Sequence, residues 1–180
     1  PPPLHRFAVP LPRKRGRILM AQVVNIHATC VLLGRAGVAF GAPATCGILL
    51  LGKSGAGKSD VALRLIALGA RLVSDDRTDL FLERSKLFAR APKRIAGLIE
   101  ARGLGVVALP HATKARIALA VSLERPKSRL PLREIYQAPL GLSAAVPLIR
   151  LAPFEASTPA KIALAAAAFE NNRFRESVLS

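Results

Sequence analysis

The chain has no tryptophan, one tyrosine, one methionine and two cysteines among 180 residues, and aromatic residues make up 4% of it. With so few rings, the interior has to be built from Leu, Val, Ile and Ala, which dominate a 51% hydrophobic composition. Scarce aromatics also argue against a single-strand nucleic-acid reader, which needs platforms for stacked bases. Two cysteines, Cys30 and Cys46, are too few for a disulfide scaffold, and neither has a Cys or His at metal-ligand spacing. A disulfide between them stays open on sequence alone, and two buried thiols are the simpler expectation. Acids are scarce as well, 11 against 27 Lys and Arg, for a formal charge of +16. Such a balance suits nucleic acid, an anionic surface or an acidic partner. Long apolar runs are also missing. The longest uncharged stretch, residues 36 to 52, is short for a bilayer and broken by Pro43 and several glycines, so no membrane span is expected.

The length suits one domain with a real core. Residues 1–19 are rich in Pro and in Arg6, Arg13, Lys14, Arg15 and Arg17, have no acid and show no hydrophobic period. They read as a disordered basic extension ahead of a natural start at Met20, with a basic targeting arm as the alternative. The catalytic domain is expected over 20–170, with a tail at 171–180. Hydrophobic periodicity predicts strands near 22–26, 28–33, 37–40, 47–51, 71–74, 79–83, 105–109, 116–123 and 146–151. A helix is predicted over 58–69, with Val61, Leu65 and Leu68 on one face and Gly69 ending it. A second helix is expected after Pro92. A third begins at "STPAKIALAAAAF", with Thr158 as cap, Pro159 in the first turn, and Ile162, Ala166 and Phe169 sharing a face. The charged, proline-containing segment 124–143 reads as a long loop or a partner-binding surface.

The chemistry concentrates in "GKSGAGKS", residues 52–59, which fits G-x-x-x-x-G-K-[ST] between an apolar strand and an amphipathic helix. Gly52, Lys53, Ser54, Gly55, Ala56, Gly57, Lys58 and Ser59 would form the nucleotide cradle. Backbone N–H groups would converge on the β-phosphate, helped by the partial positive charge of the helix N-terminus. Lys58 would bridge the β- and γ-phosphates, and the Ser59 hydroxyl would ligate Mg²⁺. Asp75 and Asp76 follow one helix and one short strand later, 17 residues after Lys58 for the first of the pair. A strand returning beside the loop would bring its end to the γ-phosphate. Asp75 would then accept a proton from an acceptor hydroxyl while Asp76 orders metal or water, because adjacent strand residues face opposite ways. In "IEARGLGVVAL", residues 99–109, Glu100 is a candidate metal carboxylate and the two glycines allow close backbone approach. A strand-initiating turn would look the same.

Taken together, "NIHATCVLLGR", "GKSGAGKSDVALRLIALGARLVSDDRTDL", "APKRIAGLIEARGLGVVALP" and "VPLIRLAPFEASTPAKI" resemble the HPr kinase/phosphorylase family, in the compact form found in some proteobacteria. The resemblance runs from about Met20 to Phe169, and larger members carry an additional N-terminal domain. It implies an α/β phosphate-loop kinase fold, a single domain with a central mixed β-sheet flanked by helices. It implies ATP-dependent phosphorylation of a serine on the phosphocarrier protein HPr, and phosphorolysis of the product by the same site. The implied roles are Asp75 as proton acceptor, Lys58 as the catalytic lysine, Ser59 and Glu100 as Mg²⁺ ligands (with Mn²⁺ as a substitute), and His27 as the active-site histidine. Arg129 is the arginine that matches a role in dephosphorylation. The interval from His27 to the phosphate loop is longer than the family pattern, around "GVAFGAPATC". The resemblance further implies a cytoplasmic homo-oligomer, a hexamer, with no membrane or nucleic-acid partner. Two other readings remain at this point: a phosphate-loop kinase for a small metabolite, with Arg125, Lys127, Arg129 and Arg133 as a basic lid, and a basic nucleic-acid-binding ATPase.

Overall fold

A computed structural model of the chain describes residues 22–126, 128, 134–139 and 142–174. The expected extension 1–19, the start at Met20, Arg129 and the last six residues of the expected tail lie outside the described residues. In chain order the strands are β1 (Val23–His27), β2 (Thr29–Leu32), β3 (Cys46–Leu51), β4 (Arg71–Ser74), β5 (Arg77–Glu83), β6 (Lys86–Arg90), β7 (Leu98–Ala101), β8 (Gly105–Ala108), β9 (Ala115–Leu123), β10 (Glu134–Gln137) and β11 (Ala145–Leu151). Two α-helices, α1 (Lys58–Ala67) and α2 (Thr158–Glu170), complete the frame.

Nine strands form one mixed sheet in the order β1-β5-β6-β9-β3-β2-β4, with β11 added parallel to β9 and β10 antiparallel to β11. The ladder of β9 explains the curl. Its first residues pair with β6, its length pairs in parallel with β3, and its end pairs with β11. Apolar residues alternate along the central strands into two cores. Ile48, Leu50, Leu119 and Val121 face α1 and α2, while Leu49, Ala120, Val73 and Leu80 face the other side. Both helices pack on the first core only. The second face is closed by the sheet itself, which brings Val24, Ile26 and Leu82 of β1 and β5 around it. The fold is therefore the α/β phosphate-loop kinase fold with helices on one face.

The active end is built by a kink. β1–β2 and β4–β5 are two nearly continuous runs that pair antiparallel, His27 with Arg77 and Cys30 with Ser74. The same register on both sides places the break at Ala28 opposite the break at Asp75–Asp76. Asp76 adopts a left-handed φ of 60°, a conformation that Asp tolerates better than most residues. Between β2 and β3 a 3-10 helix (Gly34–Phe40) packs against α2, and His27 closes the β1–β5 ladder opposite Arg77.

Several expectations need correction. Residues 37–40 are part of that 3-10 helix, not a strand, since a four-residue apolar run specifies no period of its own. Only a three-residue 3-10 turn (Lys93–Ile95) follows Pro92, because β7 begins at Leu98. β8 stands where a strand was expected, but in a separate two-stranded hairpin with β7. Segment 124–143 contains β10, held on the sheet by Glu134 pairing with Arg150. Asp75 and Asp76 lie in the kink rather than in a strand, so simple alternation does not set their directions. In the third helix Thr158 is the first helical residue, and its hydroxyl donates to the Ala152 carbonyl (2.6 Å) instead of capping. Leu68 is exposed and caps α1, while Val61 and Leu65 are buried as expected. Cys30 and Cys46 are free and buried, one in each core.

Candidate active site

β3 runs directly into the glycine-rich loop, and the loop into α1, so the first turn of the helix forms the floor of a cleft of about 410 Å³. The N-cap residue is Gly57 at φ +86°, a conformation that disfavours any side chain. Lys58 is 6% exposed and curls back beneath the loop, its Nζ donating to the carbonyls of Gly52 and Lys53 at 3.0 Å each. Burial pulls its pKa below the usual lysine value, and the nearby charges of Asp76 and Asp75 oppose that shift. The ammonium is thus held in the loop by two carbonyls, within the field of two carboxylates.

Asp75 is 5% exposed and accepts from three donors. Thr29 Oγ1 donates to Oδ1 at 2.7 Å, Ser59 Oγ lies 2.9 Å and 3.1 Å from the two carboxylate oxygens, and the Glu100 N–H donates to Oδ2 at 3.0 Å. One carboxylate thereby ties together β2, the phosphate-loop helix and the β7–β8 hairpin. Its neighbour differs in every respect. The Asp76 side chain is 70% exposed, and its Oδ1 lies 3.2 Å from His27 Nε2. Glu100 is exposed on the hairpin and lines the same cleft as the aspartates and His27. Beyond it the hairpin carries an apolar shoulder, with Leu104 83% exposed and Val106 also open to solvent.

The structure therefore brings Lys58, Ser59, Asp75, Asp76, His27 and Glu100 to one cleft, with Ser54, Gly55 and Gly57 of the loop. Gly52, Lys53 and Ala56 complete the loop's backbone. Arg129 lies outside the described residues. Thr29 is a site residue that the sequence reading missed, because its place beside Asp75 comes from the pairing of β2 with β4 and not from a local motif.

The loop chemistry accommodates the groups a kinase needs. A Cβ built at Gly55 would meet no atom within 4 Å, so the loop mouth is open to a phosphate chain. Ser59, Asp75 and Glu100 offer hard oxygen donors, the set that Mg²⁺ takes together with phosphate oxygens. Among the described residues there is no cluster of three or more His, Cys, Asp or Glu placed to hold a metal.

An apolar strand, a phosphate loop capping a helix, and a buried carboxylate bonded to the loop serine define the class as a phosphate-loop kinase fold. Residues 20–148 match the family model described as HPr Serine kinase C-terminal domain, and the chain belongs to that family. The solved structure of the Hpr(Ser) kinase/phosphatase from Coxiella burnetii superposes with a TM-score of 0.65 at 26% identity, covering 83% of this chain and 96% of that one. An HPr kinase/phosphorylase from Clostridium beijerinckii is 49% identical over 61 residues, which is 34% of this chain and 20% of the relative. The Geobacillus thermodenitrificans HPr kinase/phosphorylase is 42% identical over 89 residues, 43% of this chain and 28% of the relative. The chain thus aligns with only 20% and 28% of the lengths of these curated relatives. No helix among the described residues is long and apolar enough to cross a membrane.

Proposed function

We propose that the protein transfers the γ-phosphoryl group of ATP to a serine hydroxyl of an HPr-like phosphocarrier protein. The observation that carries this reading is the division of labour between adjacent carboxylates. Asp75 is buried and held by donors on both oxygens, Thr29, Ser59 and the Glu100 amide, while Asp76 stands open at the cleft mouth beside His27. Family membership and the likeness to the Coxiella enzyme support the same activity.

The geometry favours exchanging the two roles that the sequence suggested. A base needs a free lone pair facing the acceptor, and Asp75 has donors on both oxygens. Asp75 instead holds the Ser59 hydroxyl as a donor toward itself, which turns the serine oxygen's lone pairs to the phosphate side. Ser59 and Glu100 would hold Mg²⁺ there, and the ion would neutralise charge on the β- and γ-phosphate oxygens. Lys58 would stay on the same oxygens through the transfer. Asp76 takes the proton from the incoming serine as its oxygen bonds to phosphorus and the bond to the β-phosphate bridge breaks, releasing ADP. Serine is too weakly acidic to ionise beforehand, so this proton moves late. His27, 3.2 Å away, orients the Asp76 carboxylate. In phosphorolysis hydrogen phosphate attacks the phosphorus of phosphoserine, gives its proton to Asp76 and becomes part of the pyrophosphate that leaves, while Asp76 passes that proton to the departing serine oxygen.

The site is open on the hairpin side, where Leu104 and Val106 make an apolar shoulder beside the carboxylates. That suits a protein surface better than a small polar metabolite. The activity belongs in the cytoplasm, where ATP and phosphocarrier meet, and a homo-oligomer such as a hexamer accords with the family. Labelled ATP with Mg²⁺ and either HPr or a metabolite panel tests the reading. Label on an HPr serine supports it, and label on a metabolite alone overturns it.

A further inference from the structure

Phe154 holds a position that neither packing nor the phosphoryl-transfer chemistry explains. It lies in the loop between β11 and α2, and this loop is tied to the phosphate-loop helix. Arg64 of α1, paired with Asp60 of the same helix at 2.8 Å, donates to the carbonyl of Glu155 at 3.0 Å and also to that of Pro153. Thr158, buried at the start of α2, holds the Ala152 carbonyl. These ties set the phenyl ring against Gly57. A Cβ built at Gly57 would lie 3.1 Å from ring atoms Cε1 and Cζ and from Pro153 Cβ. Phe154 therefore touches the phosphate loop directly, yet it is 72% exposed and lines the same cleft as Lys58 and Leu63. In a chain with 4% aromatic residues, a ring braced in place by an arginine and left facing water invites a ligand.

The sheet order says which part of the ligand it meets. β3, which feeds the loop, lies between β9 and β2. The aspartates come from the end of β4, beyond β2 on one side. Phe154 comes from the end of β11, beyond β9 on the other. A triphosphate whose γ end reaches Asp76 therefore runs its nucleoside end toward Phe154. We propose that the Phe154 ring is the platform on which the nucleotide base stacks. The inference rests on the reading of this cleft as a nucleotide site. Stacking on a ring face uses the π-surface common to all bases, so adenine and guanine nucleotides should be held alike.

The test separates base from phosphates. Binding of Mg·ATP and of magnesium tripolyphosphate is measured by calorimetry for the wild type, Phe154→Leu and Phe154→Trp. Leucine keeps an apolar contact on Gly57 but removes the aromatic face, so ATP should bind about tenfold more weakly and tripolyphosphate should be unaffected. Phe154→Trp places the chain's sole tryptophan in the cleft, and its emission should change with ATP and not with tripolyphosphate. Equal losses for both ligands in Phe154→Leu would make the ring a brace of the loop and overturn the proposal. So would unchanged ATP binding in that variant together with an indole signal in Phe154→Trp that is indifferent to the base. A wild type that binds tripolyphosphate as tightly as ATP also overturns it while leaving the phosphate site standing. A wild type that binds neither overturns the nucleotide-site reading itself.

Discussion

Replacing Asp75 with asparagine tests the three-way bond that assembles the site. The carboxylate accepts from Thr29 Oγ1, Ser59 Oγ and the Glu100 N–H, and it is 5% exposed, so water does not compensate. The amide of Asp75→Asn has one acceptor oxygen. If that oxygen keeps the Glu100 N–H, the new NH₂ faces two hydroxyls that must turn to accept, and three charge-assisted bonds become neutral or are lost. Bonds to charged groups contribute about 1.5–3 kcal/mol against 0.5–1.5 for neutral ones, so each change costs about 1 kcal/mol, and the three together about 2–4 kcal/mol. A domain stabilised by about 5–15 kcal/mol remains folded. At this chain length the melting temperature should drop by about 5–15 °C. Urea denaturation without nucleotide measures the loss, and Thr29→Val combined with Asp75→Asn in a double-mutant cycle should show coupling of about 0.5–3 kcal/mol. A loss below about 0.5 kcal/mol, the scale of an ordinary surface substitution, would mean that these donors do not hold the carboxylate in solution.

Other outcomes follow from the same geometry. Lys58→Ala should abolish binding of Mg·ATP in calorimetry, because the variant lacks the ammonium held at the loop by the Gly52 and Lys53 carbonyls; retained affinity would place the nucleotide elsewhere. Gly69 sits at φ +100°, its N–H bonding the Ile66 carbonyl while the Ala70 N–H bonds Leu65, and a Cβ there would lie 2.8 Å from that of Arg35. Gly69→Ala should therefore destabilise by at least about 1 kcal/mol in urea melts, and an unchanged midpoint would refute the cap. Burial, then Glu170, push the Cys46 thiol from 9.0 up to about 11, with Arg116 opposing, and burial raises Cys30 as well. The folded state prefers the neutral thiols, so the Cys46 contribution is intact below pH 9 and is lost as pH rises from 9 toward 11, while that of Cys30 goes on falling beyond this window. Melting temperature should fall across that window, less steeply in Cys46→Ala, and an identical pH profile for the variant would contradict the assignment.

Much of the site is legible in the sequence because its parts are local. The phosphate loop is a contiguous motif with a strand before it and a helix after it, and helix 58–69 announces itself by the spacing of Val61 and Leu65. The proximity of Asp75 to Ser59 also follows from a short helix and a returning strand. What the pattern does not reveal is the kink, because opposed breaks at Ala28 and Asp75–Asp76 are a property of two paired runs, not of either one. That kink buries one aspartate and exposes the next, a difference that alternation along a strand does not foretell and on which the proposed exchange of roles rests. β6 escaped because its hairpin turns at Arg84–Ser85, two non-glycine residues at positive φ where Asn-Gly would be the usual signal. Phe154 carries no local signal. Its place over Gly57 depends on Arg64, some ninety positions earlier.

Single-turnover transfer from Mg·ATP to HPr, comparing the wild type with Asp76→Asn, tests the central claim most directly. The variant keeps Lys58, Ser59, Asp75 and the loop amides, so ATP should bind within a few-fold of the wild type. The account predicts phosphate on one HPr serine with the wild type, and a rate about 10²–10⁴ lower with Asp76→Asn at saturating Mg²⁺, the usual worth of a positioned base. Transfer at the wild-type rate by Asp76→Asn would contradict the assignment of the exposed carboxylate, and no transfer to HPr by the wild type would contradict the proposed function.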